Sequence, residues 1–309
     1  MMDPVVVSVN ISERKGTIKT PVDGIILNET GVKGDAHSGK WHRQVSLLGT
    51  ESFDKFEKQA GRQLAYGEFA ENITTTGIIL FQTRPLDRFR IGDTELEVTQ
   101  IGKSCHGDGC AIYREVGNCV MPKEGIFCRV LKNGTIKAGD KVEYIQKVFR
   151  IKVITLSDRA SVGEYTDRSG PAVENILTDF FNSIQWKVEI ERKVIPDDEV
   201  LLRQTLNDIN ETDMIFTTGG TGIGPRDITV DVVEPLLDKK IPGIMEIIRT
   251  KYGLEKPAAL LSRGVAGVIG NTLIYTLPGS VKAVEEYLTE INKTLMHSVY
   301  MLHGLDIHK

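Results

Sequence analysis

From Ile151 onward, short apolar runs alternate with one-sided helical patterns, and this alternation limits the fold more than any other feature of the chain. Ile151-Lys152-Val153-Ile154-Thr155-Leu156 reads as a strand. After a polar loop, Pro171 stands in the tolerated first turn of a helix whose Val173, Ile176, Leu177, Phe180 and Phe181 recur at i, i+3, i+4, i+7 and i+8. Trp186 to Ile195 reads as a second strand, residues 198–210 put Leu202, Leu206 and Ile209 on one helical face, and Met214 to Thr217 forms a third strand. Helical patterns at 229–238 and 242–252, a strand from Thr272 to Leu277 and a long helix marked by Val281, Val284, Leu288, Ile291 and Leu295 complete the series. Such repetition predicts a three-layer α/β domain with a mostly parallel sheet covered on both faces. Ligands in such sheets bind at the carboxyl ends of the strands.

The first half follows a different pattern. Val5 to Val9, Gln44 to Leu48, Glu95 to Thr99 and Phe127 to Leu131 are short strand-like runs punctuated by glycine, and residues 51–60 are the clearest helix. A β-rich, barrel-like domain is expected there. Gly139 to Ile145 looks like its closing strand, so the boundary falls near residues 146–150, giving domains of 1–148 and 149–309.

A chain of 309 residues with a net charge of −4 supplies no electrostatic reason for nucleic acid or an anionic membrane as partner. No apolar stretch approaches the roughly 20 residues of a membrane span, and the N-terminus lacks the order of a signal peptide, so a cytoplasmic protein is expected.

The third strand runs into Thr217-Thr218-Gly219-Gly220-Thr221-Gly222-Ile223-Gly224-Pro225-Arg226-Asp227. Backbone N–H groups freed by glycine at the end of a strand suit a phosphate, and Thr217, Thr218 and Thr221 would add hydroxyl donors. Asp227 would repel that phosphate unless a bridging Mg²⁺ stood between them, and Asp197, at the end of the second strand, could supply a second carboxylate on the same rim. The plainer reading is that Asp227 caps the helix at 229 and Asp197 the one at 198.

These residues, with Ser157-Asp158-Arg159-Ala160, Ile195-Pro196-Asp197-Asp198, Pro242-Gly243, Leu261-Ser262-Arg263 and Leu277-Pro278-Gly279-Ser280, resemble the molybdopterin adenylyltransferases in order and spacing over about residues 150–303. That resemblance implies transfer of AMP from Mg·ATP to the terminal phosphate of molybdopterin, with release of pyrophosphate. It also implies Asp197 and Asp227 as catalytic, Mg²⁺-holding aspartates and Thr217, Thr218, Gly219, Gly220, Thr221 and Gly222 as the phosphate cradle. Ser157, Asp158, Arg159, Pro278, Gly279 and Ser280 would line the nucleotide and pterin pocket, and the second half would build a homotrimer.

In the first half, Gly34-Asp35-Ala36-His37, His42-Arg43-Gln44-Val45-Ser46, Gly67-Glu68-Phe69-Ala70-Glu71-Asn72-Ile73, Gly92-Asp93 and Val98 to Cys105 resemble the MOSC domain shared with molybdenum-cofactor sulfurases. The resemblance implies binding of molybdenum cofactor or handling of its sulfur, with Cys105 as the central thiol and Cys119 as its rival. His37 and Arg43 become cofactor contacts; Lys40 and His42 lie beside them. A thiolate is a soft metal ligand and a nucleophile toward persulfide sulfur. The other readings are that Cys110, Cys119 and Cys128 are small core residues, or that the four cysteines form a zinc site, although C-x4-C-x8-C-x8-C lacks the CxxC pairs of common structural zinc sites.

The two resemblances together describe a fusion of consecutive activities on one small molecule. Its expected protein partner is a molybdate-inserting enzyme or a molybdoenzyme client. The rivals are a non-catalytic carrier or insertion chaperone for the cofactor, and a molybdate-sensing regulator, which the lack of a basic DNA-reading element disfavours.

Overall fold

The structure is a computed structural model and describes residues 3–103, 120–209 and 211–305. The described residues divide into two compact units, one running up to Lys147 and taking in Gly304 and Leu305, the other Val148–His303.

The first unit contains β1 (Val5–Ile11), β2 (Thr20–Val22), β3 (Ile25–Asn28), β4 (Gly31–Val32), β5 (Val45–Gly49), α1 (Thr50–Ala60), β6 (Ile73–Thr76), β7 (Arg88–Ile91), β8 (Thr94–Ile101), α2 (Met121–Glu124), β9 (Ile126–Lys132), β10 (Gly134–Ile136) and β11 (Val142–Ile145). Eight strands form one sheet in the order β11-β7-β8-β9-β5-β6-β1-β2, and β10-β3-β4 form a second, smaller one. Val6, Val9, Leu47, Ile73, Phe89, Leu96, Val98 and Ile126 fill the core with β3 and β10 residues Ile25, Leu27 and Ile136. Phe53 and Phe56 of α1 pack a separate cluster with Leu48, Phe69, Met121 and Phe127.

The expected barrel is not shown as a closed sheet: the large sheet runs from β11 to β2 without a strand ladder between its ends. The ends of the sheet meet at β1. Its Val9–Ile11 segment gives one edge to β2 and its Val5–Val9 segment gives the other to β6. Only the first residues of β1 keep a free edge, and these bond to the chain ahead of β11 through Val6 N–H to Asp140 O at 2.9 Å and the isolated bridge Val5 to Lys141.

The second unit contains β12 (Val148–Leu156), α3 (Asp158–Ser161), α4 (Ser169–Ser183), β13 (Lys187–Ile195), α5 (Glu199–Asn207), β14 (Met214–Thr218), α6 (Thr229–Val233), β15 (Lys239–Lys240), α7 (Pro242–Glu255), β16 (Ala266–Ile269), β17 (Thr272–Leu277) and α8 (Val281–Leu302). The sheet order is β13-β12-β14-β17-β16-β15. β13, β12, β14 and β17 run parallel, whereas β16 and β15 are antiparallel to their neighbours, so the sheet is mixed, with its parallel part the larger. A parallel return needs a long crossover, but Gly270-Asn271 turns the chain back in two residues, with Gly270 at φ +58°.

Alternation along the strands loads both faces. Ile154, Leu156, Ile215 and Ile274 meet Leu202 and Leu206 of α5 and Val232 and Val233 of α6 on one side. On the other, Phe149 lies 5.2 Å from Phe181 and 5.1 Å from Trp186, ring centre to ring centre. Val173 and Leu177 of α4 and Val284, Leu288, Ile291 and Leu295 of α8 are likewise buried. The four parallel strands therefore deliver the loops after β12, β13, β14 and β17 to one edge.

Candidate functional site

At that edge the backbone is held tightly. Gly219 and Gly220 take φ +94° and +62°, values that disfavour a side chain. A Cβ on Gly219 would lie 2.4 Å from Leu156 O, and one on Gly220 2.4 Å from Thr229 Oγ1. The turn is closed by Gly219 N–H to Leu277 O at 3.0 Å, Thr229 N–H to Gly220 O at 3.0 Å and Thr229 Oγ1 to Gly219 O at 2.8 Å. Gly279 comes within van der Waals range of Gly219, a Cβ there lying 3.4 Å from Gly219 Cα. Three loops thus meet with glycine at the contact points.

Three carboxylates converge beside this turn. Asp158 and Asp197 cap each other's main chain, Asp158 N–H to Asp197 Oδ2 at 3.2 Å and Asp197 N–H to Asp158 Oδ1 at 3.0 Å. Asp227 Oδ2 accepts from Gly224 N–H at 2.7 Å, and Arg226 reaches across to pair with Asp158. Burial, and then repulsion from Asp158 and Asp227, push the Asp197 carboxyl above the ordinary carboxylate value, while the Asp158 N–H and Arg226 pull the other way. A carboxyl raised by burial, and further by two neighbouring carboxylates, at the rim where strand-end loops meet is the kind of perturbed group that functional sites collect.

Neither Asp197 nor Asp227 is a helix cap. Asp198 caps α5 through Leu201 N–H at 2.8 Å, and Ile228 stands at the start of α6 without a side-chain cap bond. Ser157 caps α3, its Oγ accepting from Ala160 N–H at 3.2 Å. Arg159 lies over the Tyr165 ring at 5.6 Å.

The expected hydroxyl donors fare differently. Thr217 and Thr218 are fully buried within β14, and Thr218 Oγ1 is engaged with Ser169 Oγ at 2.6 Å, so these hydroxyls do not face the rim. The cause is that β14 is buried along its whole length, which leaves backbone and Thr221 as the cradle's polar surface.

Beside the turn lies a cleft of about 490 Å³, lined by Gly220, Thr221, Gly222 and Asp227, by Pro278, Gly279 and Ser280, and by Lys256, Lys282 and Tyr287. Its size and largely apolar walls suit a small organic ligand. Ser157, Asp158 and Arg159 are not among its lining residues. Lys256, Lys282 and Tyr287 were invisible to motif reading because they lie on helices and loops chosen by tertiary folding; Lys256 pairs with Glu286 at 2.8 Å.

Arg263 braces the acidic end. Its Nε donates to Gly222 O at 2.7 Å, its Nη2 to Asp227 O at 2.6 Å, and its fork grips Asp231 at 2.7 and 3.0 Å. Its main-chain N–H donates to Thr221 O at 2.8 Å.

No group of three or more His, Cys, Asp or Glu among the described residues is placed to hold a metal ion alone. Mg²⁺ at nucleotide sites takes one or two carboxylates and completes its shell with phosphate and water, and the mutual repulsion of Asp197 and Asp227 fits that more modest demand.

The first unit carries its own polar site. Lys19 and Asp35 form an ion pair with side chains 1% exposed on each side. Burial works to raise the Asp35 carboxyl, but hydrogen bonds from His37 and Lys19 outweigh it and hold the group well below the usual carboxylate range. His37 N–H donates to Asp35 Oδ1 at 2.9 Å, and Asn72 Nδ2 to Asp35 Oδ2 at 3.2 Å. Next to them a cavity of about 130 Å³ is lined by His37, Trp41, Arg43, Asn72, Lys103 and Phe127. The Arg43 guanidinium lies 4.8 Å from the Trp41 ring centre, and its buried Nε has no hydrogen-bond partner among the described residues. His37 and Arg43 are thus brought together. Cys105, Cys110 and Cys119 lie outside the described residues. Cys128 is fully buried in β9, and burial pushes its thiol far up, which makes it a core residue.

Among the described residues no helix is long and apolar enough to cross a membrane. A probable molybdopterin binding domain matches residues 152–297 and a MOSC domain residues 34–143. Over 153 residues the chain is 36% identical to the molybdenum cofactor synthesis protein cinnamon of Drosophila melanogaster, spanning 48% of this chain but only 25% of that protein. It is 34% identical over 162 residues to a molybdopterin adenylyltransferase of Helicobacter pylori, covering 51% of this chain and 90% of the relative. The solved structure of the molybdopterin biosynthesis enzyme MoaB from Thermus thermophilus is 38% identical, covers 50% of this chain and 97% of its own, and superposes with a TM-score of 0.45. Through its second half the chain belongs to the molybdopterin adenylyltransferase family, and it carries a MOSC domain ahead of that half.

Proposed function

We propose that the second unit transfers an adenylyl group from ATP to the terminal phosphate of molybdopterin, and that the first unit binds or sulfurates the molybdenum cofactor made from it. The observation that carries the reading is the convergence of Asp197 and Asp227, from separate loops, beside a turn whose Gly219 and Gly220 leave no room for a side chain, next to the cleft. Both substrates are anionic, so the task of the protein is positioning and charge neutralisation.

In this reading Gly220, Thr221 and Gly222 hold phosphate oxygens and Asp197 with Asp227 hold Mg²⁺. The ion supplies neutralising charge at the phosphates. Pro278, Gly279 and Ser280 form the wall against which the organic substrate lies, and Ser157, Asp158 and Arg159 complete the nucleotide side. Arg226, already paired with Asp158, is a cation within reach of the same rim. In the first unit His37 and Arg43 meet the cofactor, and Cys105 is the sulfur-handling thiol. A homotrimer built through the second unit, and hand-over to a molybdate-inserting enzyme or molybdoenzyme client, belong to the same proposal.

The test is magnesium-dependent pyrophosphate release from ATP, with and without molybdopterin, by the whole protein and by Asp227→Asn. Release that requires the pterin and falls at least 100-fold in the variant is expected. Binding of both substrates with no pyrophosphate would replace this reading with a cofactor carrier.

A further inference from the structure

The Gly222–Asp227 arc is exposed from Ile223 to Arg226, and its internal bonds are local, Gly224 N–H to Asp227 Oδ2 at 2.7 Å and Asp227 N–H to Gly224 O at 3.1 Å. What fixes it comes from a distant part of the chain. From the segment before β16, Arg263 donates to the carbonyl at the start of the arc, Gly222 O at 2.7 Å, and to the carbonyl at its end, Asp227 O at 2.6 Å. Its orientation is set by the two-pronged grip of Asp231 on α6, and its own main chain is tied to Thr221. Arg249 of α7 in turn donates to Gly264 O at 3.0 Å, and Tyr287 of α8 to Ser262 Oγ at 2.9 Å, so the residues flanking Arg263 are held by two helices. A planar guanidinium can serve two carbonyls and a carboxylate at fixed angles; an ammonium cannot.

We infer that Arg263 is a positioning residue for Asp227: by bridging both ends of the arc it sets the Asp227 carboxylate where the metal and phosphates of the proposed reaction need it. This rests on the adenylyl-transfer reading for the role of Asp227, and on the geometry alone for the bracing. Among the described residues the side chain of Arg263 bonds to main-chain carbonyls and Asp231, so it acts through Asp227. The motif Leu261-Ser262-Arg263 thereby acquires a role that its sequence did not disclose.

Two measurements on the whole protein test this. The first is Mn²⁺ binding, followed by electron paramagnetic resonance, in the presence of a non-hydrolysable ATP analogue, for wild type, Arg263→Lys, Arg263→Gly and Asp227→Asn. The second is pyrophosphate release by the same proteins, with and without guanidinium ion. Positioning predicts that Arg263→Lys weakens Mn²⁺ binding about tenfold or more in the direction of Asp227→Asn. It also predicts a fall in kcat larger than any rise in KM for ATP, an unchanged melting temperature, and partial restoration of Arg263→Gly by added guanidinium. Mn²⁺ binding by Arg263→Lys equal to wild type overturns the inference whatever the turnover shows. So does a loss that follows the melting temperature and resists guanidinium. Wild-type Mn²⁺ and nucleotide binding without pyrophosphate refutes adenylyl transfer instead, and the binding comparison still decides the role of Arg263.

Discussion

Glu71 gives the sharpest prediction in the first unit. Its side chain is completely buried, its Oε1 accepts from Gly67 N–H and from Thr74 Oγ1 at 2.9 Å, and its Oε2 has no partner among the described residues. Lys19 feels the charge of Glu71, but Asp35 already pairs with it. Burial raises the Glu71 carboxyl from its ordinary 4.5 to about 7, outweighing the hydrogen bonds that favour the ion. A raised folded-state value means the folded chain holds the proton more tightly than the unfolded chain does. The contribution is therefore complete below the ordinary value and is lost as pH rises through the folded one. The difference corresponds to about 3 kcal/mol between acid and pH 8, with a slope approaching about 1.4 kcal/mol per pH unit in between. Glu71→Gln removes the titration while keeping an oxygen for Gly67 N–H. Urea unfolding followed by circular dichroism at pH 5, 6, 7 and 8 should show the wild type losing stability relative to Glu71→Gln by most of that amount, about 2.5 kcal/mol. Asp35 stays ionised across this window because its carboxyl is held low. Asp197, raised like Glu71, shifts both proteins equally, so the difference between the curves is the readout. Parallel curves over the whole range would refute the argument that a buried, half-satisfied carboxyl governs the slope.

Further outcomes follow from the second unit and from the cysteine. Gly220→Ala forces a side chain into φ +62° and within 2.4 Å of Thr229 Oγ1, so it should cost about 1–3 kcal/mol and abolish phosphate binding, as measured by melting temperature and by ATP titration. Asp198→Ala should lower stability by about 1 kcal/mol through loss of the α5 cap and leave pyrophosphate release intact, whereas Asp197→Asn should do the reverse. Native protein treated with iodoacetamide and mapped by mass spectrometry should show Cys128 unmodified until denaturant is added, because burial disfavours its thiolate.

How much of this could be read from the sequence depends on how local each cause is. The α/β pattern was legible because the longer helices of the second unit each bury an apolar stripe, as Val173, Leu177 and Phe181 of α4 do, and the rim carboxylates follow strand ends by position. The distinction between Asp197 and Asp198 was not legible: either could cap a helix, and only the folded chain places the Asp197 carboxylate against Asp158 N–H. Thr217 and Thr218 looked like ligands because they adjoin the glycines, yet a strand buried on both faces turns such hydroxyls inward. The β16–β17 hairpin carried a usable signal in Gly270-Asn271 between two apolar runs. The strand order of the first unit had none, since pairings such as β5 with β9 join Val45 to Cys128 across most of that unit.

The same contrast explains why the bracing of the site escaped motif reading while its acids did not. Asp227 sits six residues from Thr221 in the chain, so glycine turn and carboxylate are seen together. Arg263 reaches that arc only because β16 and the loop before it are folded beside β17, and β17 beside β14. A residue whose partners are main-chain carbonyls leaves no complementary signature in those partners' side chains. Its role is therefore visible only as a pair of bonds, to Gly222 O and Asp227 O, that close one arc. Asp231 is the exception: as the carboxylate that fixes the guanidinium's orientation it is a side-chain partner, and its neutralisation should mimic Arg263→Lys in kind and fall short of it in size, because both carbonyl bonds can survive without it.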